Sequence, residues 1–155
     1  MPAARTATVL LAVLVGGAIT ACGDAPTRQE YAAQADRVCR AAERALERIE
    51  DRPADTPQAR GELIAATQRS LGQVVERLRE LERPEGEAGR LAQAYVAQLD
   101  QRADEVAPLL ERLRTALADD DVEAVRRAAR ALEAFEGAER ADELARRLGA
   151  RTCAG

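Results

Sequence analysis

Three cysteines, Cys22, Cys39 and Cys153, are the side chains with the greatest capacity for covalent chemistry. A thiol can be acylated, oxidised to a disulfide or bound to a metal ion. The chain has no histidine, so it lacks the base of a Ser-His-Asp or Cys-His catalytic arrangement and a common zinc ligand. These residues therefore favour acylation and disulfide formation, and we expect no metal site, no cofactor and no enzymatic activity.

The N-terminal segment has the composition of an export signal. Arg5 precedes a run of small and aliphatic residues over positions 9–19. That run is shorter than the roughly 20 residues that span a bilayer. The order of a basic residue and a short apolar run is typical of a cleaved secretory leader, here residues 1–21.

The leader ends in Ile-Thr-Ala-Cys at residues 19–22. This run resembles the bacterial lipobox, which implies that Cys22 is acylated and becomes the new N-terminus. Stable attachment requires two or more acyl chains, and the resemblance places the protein on the extracytoplasmic face of the cell membrane. Residues 22–26 would form a tether of at most about 14 Å, followed by a helical domain over 27–155. The alternative is an ordinary leader that leaves Cys22 free or in a disulfide.

Capping residues and prolines divide the mature sequence into helices. Thr27 and Glu30 form a capping box for helix 1, which we expect over about 28–51. Thr56 followed by a proline opens helix 2, and Pro84 closes it. Apolar residues recur at spacings of three and four along both helices, as one buried face of a helix requires.

Helices 3 and 4 complete the pattern. Helix 3 begins near Glu85 and contains Pro108, which removes one backbone donor and crowds the preceding turn, so we expect a kink there rather than a break. Asp120 and Glu123 form a capping box that begins helix 4, and Gly149 ends it. No segment alternates with period two. The sequence therefore predicts an all-α four-helix bundle with up-down-up-down topology.

Cys39 and Cys153 remain as an even pair if Cys22 carries lipid, and an even pair in an exported chain favours a disulfide. In the predicted topology the last helix ends near the start of the first. Cys39 lies roughly 16 Å into helix 1, and the turn at Gly149 allows residues 150–153 to run back toward it. We expect a Cys39–Cys153 disulfide, with two free thiols as the alternative.

Four short motifs lie along the mature chain. They are Ala35-Asp36-x-x-Cys39 in helix 1, Leu78-x-x-Leu81-x-x-Pro84 at the end of helix 2, Asp119 to Asp121 before helix 4, and Leu148-Gly149 followed by Cys153. Together they resemble a class of small exported helical lipoproteins of high-GC Gram-positive bacteria. The resemblance covers nearly all of the mature chain and implies its architecture and location, but no activity.

The remaining polar and aromatic residues have structural interpretations. Acidic and basic residues alternate along the helices, as at Glu76 and Arg79, which predicts a solvated, salt-bridged surface. Asp119 to Asp121 lacks the spacing and the glycine of a calcium loop, so we interpret it as a helix cap. The three aromatic residues, Tyr31, Tyr95 and Phe135, are expected in the core, with a ligand pocket as the alternative.

Composition and charge also constrain the partners. The formal net charge is −4, and an acidic domain is poorly suited to bind the phosphate backbone of nucleic acids. We therefore expect a non-enzymatic envelope protein that contacts the membrane through its lipid and binds another envelope protein. The alternative is a carrier or sensor of a small apolar ligand held between the helices, which an alanine-rich interior and a kink at Pro108 would favour.

Overall fold

The computed structural model describes residues 24–135 and 138–154, which are helical apart from short connections. The α-helices are α1 (Arg28–Glu50), α2 (Pro57–Glu80), α3 (Gly86–Ala118), α4 (Val122–Glu133) and α5 (Ala138–Leu148), followed by the 3-10 turn η1 (Thr152–Ala154). No strand occurs in these two ranges, and the predicted all-α class is confirmed. The predicted leader and Cys22 lie outside the described residues.

α1 and α2 begin directly after the capping residues that the sequence predicts. The Thr27 hydroxyl accepts a hydrogen bond from the Glu30 amide at 3.2 Å, and the Glu30 carboxylate accepts one from the Thr27 amide at 2.8 Å. Because these bonds favour the charged carboxylate, they lower the pKa of Glu30. The Thr56 hydroxyl likewise accepts from the Ala59 amide at 3.1 Å, and Pro57 is the first residue of α2.

The predicted single fourth helix is wrong, because the structure has two helices in its place. α4 ends at Glu133 and α5 begins at Ala138. Gly137 stands between them in the sequence, and glycine disfavours a helix interior by about 1 kcal/mol relative to alanine. The apolar spacing continues across this position, so the periodicity gave no sign of the interruption.

The predicted capping residue of α4 is also displaced by one position. Asp121, and not Asp120, accepts a hydrogen bond from the Ala124 amide, at 2.9 Å. Asp120 lies in the preceding turn with φ of 54°, a left-handed conformation that aspartate adopts more readily than most residues. Glu123 does not close a capping box and instead forms a salt bridge with Arg126.

α3 passes through Pro108 as one continuous helix of 33 residues. The Gln68 side chain of α2 donates to the Ala107 carbonyl at 3.4 Å, and the Arg112 side chain donates to the Pro108 carbonyl at 3.2 Å. Side-chain donors therefore supplement the backbone bonds around the proline. The absence of a break agrees with the sequence analysis, and the kink at Pro108 stays a prediction.

α2 and α3 run antiparallel along most of their length. Gln68 forms a hydrogen bond with Ala107, and Arg79 forms a salt bridge with Asp100 at 2.9 Å. Residue numbers therefore rise along α2 in the direction in which they fall along α3. α5 packs on the first half of α3 and α4 on its second half. We call the end that holds Tyr31 and Tyr95 the tyrosine end, and the end that holds Asp119–Asp121 the aspartate end.

The buried core cluster lies at the tyrosine end. Its members are Tyr31, Ala32, Ala35, Val75, Leu78, Ala92, Tyr95, Val96, Ala141, Ala145, Leu148, Ala150 and Ala154. Seven of these thirteen residues are alanines, which permit close approach of the helices but bury little apolar area each. Toward the aspartate end, larger side chains such as Leu63, Ile64 and Leu113 are only half-buried.

Two tyrosines fill the centre of this core. Tyr31 is 0% exposed and Tyr95 is 2% exposed. Burial raises the pKa of both phenols, and for Tyr95 the nearby Tyr31, Asp142 and Asp36 raise it further. The Tyr31 hydroxyl is sealed from solvent and has no hydrogen-bond partner among the described residues. An unpaired buried hydroxyl is destabilising because it has lost its bonds to water.

Tyr31→Phe should therefore stabilise the protein. Removing an unsatisfied buried hydroxyl while keeping the ring is expected to raise the free energy of unfolding by about 1–2 kcal/mol. Urea denaturation followed by circular dichroism measures the change. Tyr95→Phe is the matched control and should have a smaller effect, because its hydroxyl is not among the sealed, unpartnered groups. A loss of stability in Tyr31→Phe would contradict the arrangement.

The two tyrosines also predict an alkaline titration. The chain has no tryptophan, so phenolate absorbance reports on these two residues. An exposed tyrosine is half ionised at pH 10.0, whereas the folded protein should show little phenolate there. Because burial disfavours the phenolate, stability is fully retained below pH 10.0 and falls as the pH rises from there through the folded-state pKa values, since only the unfolded chain ionises readily in that range. Ionisation of both tyrosines at the same pH as in the urea-unfolded chain would contradict their burial.

Candidate functional site

The C-terminal segment is fixed to α1 by contacts from three neighbouring residues of that helix. Cys39 and Cys153 lie at disulfide distance, with 5.4 Å between their Cα atoms. One turn earlier, the Asp36 carboxylate accepts hydrogen bonds from the amides of Thr152 at 2.8 Å and Cys153 at 3.4 Å. The Arg40 guanidinium donates to the Thr152 hydroxyl at 3.1 Å. We call this set of contacts the C-terminal clamp.

The turn at Gly149 directs the C-terminal segment toward α1. Gly149 has φ of 89°, a conformation that glycine adopts without the strain of a Cβ atom. Its amide donates to the Arg146 carbonyl, and the Ala150 amide donates to the Ala145 carbonyl at 2.9 Å. This pair of bonds is a Schellman motif, which ends α5 and reverses the chain toward α1. The sequence prediction that Gly149 ends the last helix is confirmed.

The motifs that resemble exported helical lipoproteins have structural roles in the described residues. Ala35 is fully buried beside the clamp, and Leu78 lies in the core. A Cβ atom on Gly89 would lie 2.1 Å from the Pro84 carbonyl oxygen, so the start of α3 packs on the loop in a way that only glycine allows. Asp121 caps α4. These residues build the fold rather than a reactive site.

The polar residues considered for chemistry are on the surface. Glu76 forms a salt bridge with Arg79, as the sequence predicts, and both side chains are exposed. Within residues 24–135 and 138–154, no three acidic, histidine or cysteine side chains are grouped closely enough to hold a metal ion. None of the helices in those ranges is long and apolar enough to cross a membrane. Phe135, which is expected in the core from the sequence, is instead half-buried and lies outside the buried core cluster.

Two apolar grooves flank α3. The α2–α3 groove has a volume of about 410 Å³. Its apolar lining includes Leu71, Val74, Val75, Leu99, Val106 and Leu110, and its polar lining consists of Gln68, Arg102 and Asp104. Leu71 is 40% exposed, so an apolar wall of the groove faces solvent. The volume lies within the range of roughly 300–1,000 Å³ found for ligand sites.

The second groove, the α3–α4 groove, lies nearer the aspartate end and has a volume of about 460 Å³. Its apolar lining consists of Leu109 and four alanines, and its polar lining consists of Glu111, Arg112, Thr115, Asp119, Asp121 and Arg127. Val122 begins α4 close to this groove and is 63% exposed. An apolar surface of this kind on a folded domain is a common sign of an interaction site.

Sequence reasoning did not find these grooves or the role of Asp36. Asp36 stood in a recognised motif, but its partners are more than a hundred positions away in the chain. The sequence feature that could have indicated the α2–α3 groove is Gly72, because a glycine in the middle of a helix leaves a side-chain position empty.

Cys39→Ser and Cys153→Ser should lower stability by a similar amount. Each removes the same cross-link, which spans 114 residues, and we expect a loss of about 2–4 kcal/mol. The double variant should be no less stable than either single variant, because the second substitution breaks no further bond. Thermal unfolding with and without reductant measures the three changes, and wild-type protein in reductant is the control. Additive losses would mean that the two cysteines are not bonded to each other.

No protein-family model, curated protein or solved structure matches the chain.

Proposed function

We propose that this chain is a lipid-anchored envelope protein whose helical domain binds another protein without catalysing a reaction. In this proposal Cys22 is acylated after removal of residues 1–21, and the domain stands on the outer face of the membrane. The protein would then belong with the exported helical lipoproteins that its motifs resemble. Its helices would form an up-down-up-down bundle in which α4 and α5 together replace the fourth helix.

The position of the tether supports an orientation. Asp24 and Arg28 line one surface depression together with Pro84 and Glu85, which connect α2 to α3 at the tyrosine end. A short tether that leaves from this end would hold it next to the membrane. The aspartate end would then face away from the membrane, toward other envelope proteins.

The uncovered apolar surface beside the second half of α3 is the observation that carries the proposal. The α3–α4 groove lies along this half, its wall includes the half-buried side chain of Leu109, and Val122 is exposed beside it. The tyrosine end, by contrast, has a closed core under the C-terminal clamp. A base held by the C-terminal clamp, with a groove on the outer half of the domain, suits a protein that presents a binding surface.

The carboxylates favour a non-catalytic role. Glu30 and Glu111 have lowered pKa values because the first is bonded to Thr27 and the second to Arg114, and both are exposed. Catalytic acids and bases are instead expected in clefts, with pKa values shifted by burial and specific partners. The pKa shifts of these two carboxylates are those of a surface cap and a surface ion pair.

Photo-cross-linking in intact cells tests the proposal. A photoreactive phenylalanine analogue replaces Val122, beside the α3–α4 groove, and a second variant carries it at the exposed Ala33 on the tyrosine end. We expect one reproducible protein adduct from position 122 and not from position 33. The adduct should be lost in Cys22→Ala, which removes the anchor. No adduct from position 122, or equal adducts from both positions, would contradict binding at this surface.

A second function, a carrier of a small apolar ligand, is favoured by one specific observation. The α2–α3 groove combines an apolar lining with a few polar residues, which is the usual composition of a small-molecule site. The groove does not overlap the lining of the α3–α4 groove, so the two proposals concern separate surfaces of one helix.

A further inference from the structure

Gly72 leaves open space in the wall of the α2–α3 groove. It lies in the middle of α2, where glycine destabilises the helix relative to other residues. A Cβ atom at this position would meet nothing within 4 Å, whereas a Cβ atom on Gly61 would meet Arg114 at 3.6 Å. Neither helix packing nor an unusual backbone angle therefore requires Gly72. The missing side chain instead leaves room in the groove.

Arg102 places a guanidinium group in the lining of the groove, which also contains the exposed carboxylate of Asp104. Arg102 is half-buried and forms no salt bridge within the described part of the chain. Glu105, one helical turn later, instead accepts a hydrogen bond from Gln101 at 2.9 Å.

Arg102 is the one half-buried arginine of residues 24–135 and 138–154, where the others are exposed and only some are paired with a carboxylate. Arg114 and Arg126 each bind the acidic residue three positions earlier. At Arg102 that position is occupied by the groove residue Leu99. Asp104 also lines the groove, but it forms no salt bridge with Arg102. The guanidinium of Arg102 therefore has no local carboxylate partner at the edge of an apolar surface.

We propose that the α2–α3 groove binds a single-chain amphiphile with an anionic head. The apolar chain lies against Leu71, Val74 and Val106, and the head pairs with Arg102. The groove residues from Leu99 to Leu110 extend over about 16 Å of α3, a length that suits one extended hydrocarbon chain. This proposal rests on the carrier function, for which it specifies the ligand class and the residues.

A photoreactive dodecanoate tests the assignment on the intact, lipidated protein. Membranes that contain the protein are incubated with diazirine-bearing dodecanoate or with the corresponding alcohol, irradiated, and analysed for the labelled residues by mass spectrometry. Gly72→Leu places a side chain in the groove without an expected clash. Gly61→Ala is its matched control, because it also replaces a glycine of α2 but lies outside the groove. Circular dichroism is used to check that each variant is folded.

We expect the wild type and Gly61→Ala to be labelled by dodecanoate on residues of the groove. Labelling should fall at least about tenfold in Gly72→Leu, which should also melt at a higher temperature. Arg102→Gln should reduce labelling by dodecanoate about tenfold, because a charge-assisted bond is lost, and should leave labelling by the alcohol unchanged.

Three outcomes would overturn the proposal. Equal labelling of Gly72→Leu and wild type would show that the groove is not the site. Labelling confined to other residues would leave the carrier function standing and remove the groove from it. No labelling of the wild type would contradict both the groove assignment and the carrier function. The protein-binding function would still be tested separately by the adduct from position 122.

Discussion

Closure of the C-terminal segment onto α1 is the constraint on which the rest of the structure depends. α1 and α5 share few direct contacts, and both contact η1 more extensively, so the segment joins the first and last helices. Asp36 fixes its amides and Cys39 fixes its side chain, while Gly149 sets the direction of approach. Without this connection, a core built largely of alanines would have little apolar area to hold α5 in place.

Signals that act within a few residues were predictable. The Thr27 capping box, the Thr56 cap and the Gly149 stop each depend on side-chain or backbone chemistry within one or two turns, and the structure confirms all three. The pairing of Cys39 with Cys153 spans the domain, yet it could be predicted from the number of cysteines. Once Cys22 is assigned to lipid, only one intramolecular pair remains.

The features that sequence reasoning missed depend on competing local choices or on distant partners. Asp120 and Asp121 are equally good caps by residue type, and the left-handed turn at Asp120 decides between them. The role of Asp36 requires the position of a chain end far away in sequence. The grooves require knowing that α4 packs mainly on α3. The apolar periodicity of α2 and α3 identifies the buried faces, but not which side chains a neighbouring helix leaves uncovered.

The difference between the two ends of the domain has a physical basis in the clamp. A disulfide stabilises a fold chiefly by restricting the unfolded chain, and this contribution applies to the whole domain rather than to the residues beside the bond. The middle of α2 can therefore keep Leu71 exposed and a glycine at position 72, although each is unfavourable for folding. Stability supplied at the tyrosine end is in this way compatible with open apolar surface along the rest of α3.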